Sequence, residues 1–120
     1  MNDAGEKLFQ SRTLSYLLIS VPSRAPVNLH GHNSSSTSLF VAWEPLLQDH
    51  VNGILLGYKV LYRKHGYNHT SEKNTSTNRF ITLQTLEKFT AYDVEVLAFT
   101  RVGDGPKANI TIFTDQDGEM

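Results

Sequence analysis

Five histidines are the side chains of this 120-residue chain best suited to hold a metal ion. His30 and His32 are two positions apart and would share one face of a strand, while His65 and His69 flank a polar loop. A protein zinc site requires three or four ligands, and neither pair has a third ligand at a suitable spacing. The chain has no cysteine, which excludes disulfides, thiolate catalysis and cysteine-ligated zinc. We therefore predict no metal site.

The hydroxyl and acidic residues form no catalytic pattern, because none stands in a nucleophile elbow or an acid/base pair. The glycines predict turns and form no phosphate-binding loop. The net charge is −1, and no basic stripe interleaved with aromatic residues indicates nucleic acid or an anionic membrane surface. No apolar run is long enough to cross a bilayer. We predict that the chain is not an enzyme, carries no cofactor, and contacts neither nucleic acid nor membrane directly.

Asparagines in N-x-[ST] sequons are the second chemical signal, and they are Asn33, Asn68, Asn74 and Asn109. The first three fall in predicted loops or edges, where a glycan would not disturb a core. Asn109 falls near the start of the predicted last strand. Loops rich in serine and threonine also produce sequons by chance, but the set favours a secreted or cell-surface protein.

The histidines and sequon asparagines lie on or between short segments that have apolar residues at every second position. This alternation predicts an all-β fold. The predicted inward sets are Leu39, Val41, Trp43; Tyr58, Val60, Tyr62; Tyr92, Val94, Val96, Ala98; and Ala108, Ile110, Ile112. Val27–His30 predicts a first strand, and 65–78 contains a short edge strand. The register over Phe80–Leu83 stays open between two alternatives. No segment has the apolar periodicity of an amphipathic helix.

Turn signals separate the strands. Gly31–Ser36 is rich in small polar residues and predicts a turn. Pro45 ends the second strand. Asn52 and Gly53 form a strong tight-turn signal within the loop from Leu46 to Leu56, since both residues tolerate a positive φ.

Four landmarks in this order resemble a fibronectin type III domain: Trp43, Tyr58, Leu86 and Tyr92, followed by Gly103-Asp104-Gly105-Pro106. The resemblance covers about Ser23 to Thr114. It implies an immunoglobulin-like β-sandwich with seven strands in two antiparallel sheets, in which the four landmarks are structural core residues. The spacing from Leu86 to Tyr92 resembles a tyrosine corner, in which the phenol bonds to nearby backbone.

The predicted domain therefore occupies residues 23–114, and residues 115–120 form a tail. Residues 1–22 are predicted to be a linker or a poorly ordered segment. Two alternatives stay open for them: an added strand, in which Leu14, Tyr16 and Leu18 alternate with their neighbours, or a secretory signal over Thr13–Val21.

A partner surface is predicted on the outward face of the third and sixth strands, which the resemblance makes neighbours in one sheet. Leu61, Leu97 and Phe99 alternate with the inward residues, and Arg101 lies at the rim. Such an apolar patch is typical of a docking surface, although isolated exposed apolar residues are ordinary. A glycan on Asn109 would crowd the same sheet.

The resemblance implies a non-catalytic interaction or spacer module of a larger, single-pass cell-surface adhesion or receptor protein. Its partners would be neighbouring domains and a further protein ligand, with the isolated domain monomeric. The alternative is an intracellular scaffold module of the muscle type, or a spacer attached to an enzyme. The chain has no Arg-Gly-Asp run and no Trp-Ser-x-Trp-Ser box, which disfavours the integrin-binding and cytokine-receptor types.

Overall fold

The alternating segments form seven strands in the computed structural model, which describes residues 19–114. The elements are β1 (Val27–Ser35), β2 (Ser38–Glu44), a single-turn helix α1 (Gln48–Val51), β3 (Gly57–Lys64), β4 (Ser71–Asn74), β5 (Phe80–Leu83), β6 (Ala91–Thr100) and β7 (Gly103–Phe113). The alternative strand at residues 14–18 and the predicted tail at 115–120 lie outside the described residues.

Two antiparallel sheets make up the fold, with strand orders β1-β2-β5 and β4-β3-β6-β7. The predicted architecture of seven strands in two antiparallel sheets is confirmed. The loops before β3 and between β6 and β7 lie at the same end as the start of β1, which we call the amino-terminal pole. The opposite end, where β7 finishes, is the carboxyl-terminal pole.

The core lies between the sheets and consists of the residues at alternate positions. Val41, Val60, Val94 and Val96 are fully buried, and the landmark Trp43 packs its ring edge-on against Tyr58 with 5.4 Å between the centroids. The other core members are Leu39, Leu83, Leu86, Tyr92, Ala98 and Ile112. In β5, Leu83 is buried and Phe80 is exposed, so the inward set there is Ile81 and Leu83.

The loop from β5 to β6 is held by the tyrosine of the predicted corner. The phenol oxygen of Tyr92 accepts a hydrogen bond of 2.9 Å from the backbone N–H of Glu87. The hydroxyl of buried Thr114 donates to the carbonyl of Glu87 at 2.8 Å, and the backbone N–H of Thr114 donates to the carbonyl of Thr90 at 2.9 Å. These bonds fix the end of the domain against the start of β6.

The predicted turn at Gly31–Ser36 is wrong over most of its length, because Gly31–Ser35 continues β1. The strand pairs with β2 as far as Ser35 and Ser38, which leaves only two residues for the turn. Small polar residues tolerate this edge position, and Gly31 is required because a Cβ there would lie 2.5 Å from the backbone carbonyl oxygen of Phe40 on the neighbouring strand.

The loop from Leu46 to Leu56 contains α1, which the sequence did not predict. A single turn buries only Val51, so it leaves no periodic signal in the sequence. Asn52 ends the helix in the left-handed conformation with φ of 62°, and Gly53 follows with φ of 155°. The positive φ angles expected at these two positions are present.

Residues 19–22, which the sequence placed outside the domain, are bonded to the amino-terminal pole. The N–H of Ser20 donates to the Asn52 carbonyl at 2.8 Å, and the Thr100 hydroxyl donates to the Ser20 carbonyl at 2.9 Å. Pro22 is buried against Gly105, where a Cβ would lie 2.7 Å from the Pro22 Cβ. Glycine at 105 therefore leaves the space that Pro22 occupies.

Candidate interaction surfaces

The outer face of the four-stranded sheet is built from the residues that alternate with the core. Its two central rows run across all four strands, and in strand order β4, β3, β6, β7 they are Asn74, Lys59, Leu97, Lys107 and Glu72, Leu61, Glu95, Asn109. Charged side chains therefore surround the two leucines on this face.

The prediction of an exposed apolar patch on this face is wrong for its central residue, Leu97. Leu97 faces outward as predicted but is only 2% exposed. Its cross-strand neighbours are Lys59 and Lys107, and lysine stems can cover apolar surface while their ammonium groups stay in water. Leu61 and Phe99 are half-buried, and the Lys59 ammonium lies 4.8 Å from the centre of the Phe99 ring. Arg101 is exposed, but it lies in the turn after β6 at the amino-terminal pole.

Ion pairs occupy the surface that the patch was expected to expose. Lys59 bonds Asp104 at 2.9 Å, and Lys107 lies 3.6 Å from Glu95. Asp93 accepts hydrogen bonds from the Thr111 hydroxyl at 2.8 Å and from His65 Nδ1 at 3.0 Å. The bond from Thr111, followed by that from His65, holds the pKa of the Asp93 carboxyl below its ordinary value.

The sequon asparagines are all exposed. Asn33 lies within β1 at the edge of the three-stranded sheet, and Asn68 lies in the loop after β3. Asn74 ends β4, and its Oδ1 accepts a hydrogen bond of 2.8 Å from the Ser76 N–H. Asn74 and Asn109 lie on the two edge strands of the four-stranded sheet, whose outer face is charged. The conflict expected between a glycan on Asn109 and an apolar patch therefore does not arise, because this surface is not apolar.

Most exposed large apolar residues lie instead at the two poles, which the sequence did not predict. Phe80 is an exception, since it lies on the outer face of the three-stranded sheet with its ring centre 6.3 Å from that of Phe40. At the amino-terminal pole Ile54 is 80% exposed, and Ile19, Leu47, Leu56 and Val102 are also exposed. At the carboxyl-terminal pole the exposed residues are Tyr67, Phe89 and Phe113. One sequence signal could have indicated exposure at the amino-terminal pole. Ile54-Leu55-Leu56 is a run of three apolar residues directly after a turn, and without alternation its members cannot all face the core.

Three of the five histidines, His30, His32 and His65, bond to groups of the domain itself. His30 Nδ1 donates to the Asn28 carbonyl at 2.7 Å, and His32 Nδ1 donates to the Asn33 carbonyl at 3.1 Å. His65 contacts Asp93, and His69 is exposed. Within residues 19–114, no three histidine or acidic side chains come together in a metal-binding group. The helix in this range is too short to cross a membrane.

These features define the class: an immunoglobulin-like β-sandwich module with a charged outer face on its four-stranded sheet and exposed apolar residues at both poles. The model of the fibronectin type III domain family matches residues 24–114, and the chain belongs to that family. The chain is 35% identical to the human cell adhesion molecule DSCAM over 116 residues, covering 94% of this chain and 6% of that protein. It is 37% identical to chicken sidekick-2 over 89 residues, covering 72% of this chain and 4% of that protein. The chain therefore spans a small part of these relatives.

Solved structures share the fold. The third fibronectin III domain of the human KIAA0343 protein superposes with a TM-score of 0.70 at 25% identity, covering 84% of this chain and 88% of that one. The chicken CNTN1 FN1–FN3 structure gives a TM-score of 0.70 at 24% identity, covering 78% of this chain and 32% of that one. The second likeness concerns the fold alone.

Proposed function

We propose that this domain is a non-catalytic spacer and protein-interaction module within a larger multidomain adhesion or receptor protein at the cell surface. The similarity to DSCAM supports this proposal, because the chain corresponds to a small part of a cell adhesion molecule. A module of this kind works by its shape and surfaces, so the proposal depends on which surfaces are suited to contact.

The position of the exposed apolar residues carries the proposal. Most of them lie at the two poles, where the preceding and following domains of a chain would join. An exposed apolar cluster of this kind is typical of a contact surface. The outer face of the four-stranded sheet is covered by ion pairs and is suited to water. We infer that end-to-end contacts with neighbouring domains bury the apolar residues of the two poles, while a further protein ligand binds elsewhere on the module.

We propose an extracellular location in a single-pass membrane protein, with the isolated domain monomeric. Support for the location comes from the sequons, whose asparagines are all exposed. Support for the monomer comes from the edge strand β4, which is only four residues long and carries Glu72 and Lys73. Short, charged edges disfavour pairing with a second sheet.

The mass of the glycosylated protein tests the location. The full-length protein that contains this domain is expressed in a secretory cell line, and its peptides are weighed before and after glycosidase treatment. We expect glycan on at least one of Asn33, Asn68 and Asn74, and its loss when that residue is changed to Gln. A cytosolic protein with every sequon unoccupied would contradict the proposal and favour an intracellular scaffold module.

A further inference from the structure

Two histidines lie on the outer face of the three-stranded sheet, at one edge of that sheet. His30 pairs with Ala42 of β2, and His32 pairs with Phe40. These two β2 residues alternate with the core residues of their strand, so both imidazole rings point away from the core. Both histidines are exposed, and β1 is an edge strand of the described sheet. The rings are therefore accessible to a ligand from outside the domain.

Backbone hydrogen bonds determine which ring nitrogen of each histidine carries the proton. The Nδ1 atom of His30 lies 2.7 Å from the Asn28 carbonyl oxygen, and that of His32 lies 3.1 Å from the Asn33 carbonyl oxygen. A carbonyl oxygen only accepts, so Nδ1–H donates in both rings and the Nε2 of each neutral ring keeps its lone pair. Metal-binding histidines are held in the same way, because a bond from the second nitrogen fixes the ring and its tautomer.

The direction of these bonds favours convergence of the two Nε2 atoms. His30 donates back to residue 28 and His32 donates forward to residue 33, so the two Nδ1–H bonds diverge along β1. In each ring the Nε2 lone pair points away from the Nδ1–H bond, and so toward the other histidine. Residues two apart in a strand are about 6.5 Å apart, which two histidine side chains can span to bind one zinc ion at about 2.0–2.1 Å.

The charge on this face suits a cation. The three strands contain no lysine or arginine, in contrast to β3 of the other sheet. Their single charged residue is Glu44, whose carboxylate accepts a hydrogen bond of 2.9 Å from the Asn28 side chain. Glu44 is two residues from Ala42, the partner of His30, and places a negative charge beside the two rings. A divalent cation is therefore attracted to this edge and not repelled.

Two imidazoles do not complete a zinc site. Structural zinc takes four ligands in a tetrahedron, and within residues 19–114 no third histidine or acidic side chain joins this pair. A second copy of the chain presents the same two rings, and a two-fold axis through the ion brings four imidazoles together. We propose that His30 and His32 form half of a zinc site, which a second copy of the chain completes. The missing third ligand, on which the prediction of no metal site rested, is the reason why the ion is shared.

The zinc site is separate from the surfaces that the proposed contacts with neighbouring domains use, because those contacts lie at the poles. It is also separate from the nearest sequon. Asn33 pairs with Leu39, whose side chain is buried in the core, so Asn33 lies on the opposite side of β1 from His32. A glycan on Asn33 would therefore leave the two imidazoles accessible. Without the metal, the chain is expected to be a monomer.

Sedimentation velocity of the full chain, prepared without a histidine tag, tests the proposal in EDTA and in ZnCl₂. We expect a monomer in EDTA and a dimer in zinc, with one zinc ion bound per two chains by calorimetric titration. His30→Gln and His32→Gln should each abolish the zinc-dependent dimer, since each change removes two of the four ligands. His69→Gln, at an exposed histidine outside this sheet, is the matched control and should dimerise as the unchanged chain does. Matching urea unfolding curves in EDTA show that the variants are folded.

Cobalt(II) in place of zinc reports the coordination of the ion. Four imidazoles in a tetrahedron should give strong visible absorption, which the two glutamine variants should lose. A mass unchanged by zinc would overturn the proposal, as would a zinc-dependent dimer that survives His32→Gln. One zinc ion per chain without dimerisation would also overturn it, and would assign the remaining ligands to water. A dimer that persists in EDTA would instead assign the contact to the aromatic rings of Phe40 and Phe80 on the same face.

Discussion

The outer face of the four-stranded sheet and the amino-terminal pole both carry apolar side chains that point away from the core, yet only the pole exposes them. On the sheet, Leu97 is flanked by two lysines on adjacent strands and is buried. At the pole, Ile54 follows a turn, has no cross-strand neighbour, and is exposed. An outward direction is therefore a property of a residue's own strand, whereas its exposure depends on the side chains beside it.

The comparison is tested most strongly by truncating Leu97, which points away from the core but is buried. Leu97→Ala should destabilise the domain by about 2–4 kcal/mol, as for a core leucine, because it leaves a cavity beneath the lysine stems. Ile54→Ala at the pole should cost at most about 1 kcal/mol, since little of that side chain is buried. Urea unfolding measures both. If Leu97→Ala lowers the free energy of unfolding by less than Ile54→Ala does, the lysines do not cover the leucine.

A second test concerns how the pole is packed. Gly105→Ala should cost about 1–3 kcal/mol, because the added methyl group overlaps Pro22 and must displace residues 20–22. In a Pro22→Gly background much of this cost should disappear, since the closest atom, the Pro22 Cβ, is gone. Thermal unfolding of the four proteins measures the coupling. Equal costs in the two backgrounds would mean that Pro22 does not pack on Gly105.

At Lys59, the stability contributed by the aliphatic stem can be separated from the stability contributed by the ammonium charge. Lys59→Met keeps the apolar stem but loses the ion pair with Asp104, and should cost less than about 1 kcal/mol, as exposed ion pairs do. Lys59→Ala also removes the stem beside Leu97 and should cost measurably more if the stem covers that leucine. Urea unfolding at low and high salt compares the two. Identical stabilities of the Lys59→Met and Lys59→Ala variants would show that the charge of Lys59, and not its stem, is what stabilises this face.

The smallest expected effect is the pH dependence of the sheet face. Because the folded pKa of Asp93 lies below its unfolded value, its stabilisation is present above the unfolded pKa and is lost as the pH falls through the folded pKa. Asp93→Asn should remove this part of the acid loss, and Thr111→Val should reduce it. Ile54→Ser at the pole serves as the control and should leave it unchanged. Acid titration of stability in each variant gives the result.

Much of the fold could be predicted from the sequence, because Trp43, Val60 and Val94 occupy alternating positions whose inward direction is fixed by strand geometry. The extent of β1 could not, since Gly31–Ser35 has turn-like composition and becomes a strand only through pairing with β2. The interaction surface was harder still. Leu97 is buried between lysines contributed by two other strands, and such cross-strand neighbours are invisible until the register is known.

The hydrogen bonds at the two ends of the domain also determine how it would respond to mechanical tension. Ser20 is bonded to Thr100 at the last residue of β6, and Thr114 is bonded to Thr90 just before that strand begins. A pulling force applied to the two termini would therefore reach opposite ends of β6, a central strand paired on both sides with β3 and β7. While these end bonds hold, the load passes along the most supported strand of the sandwich, and β1 and β7 are not peeled from their edges.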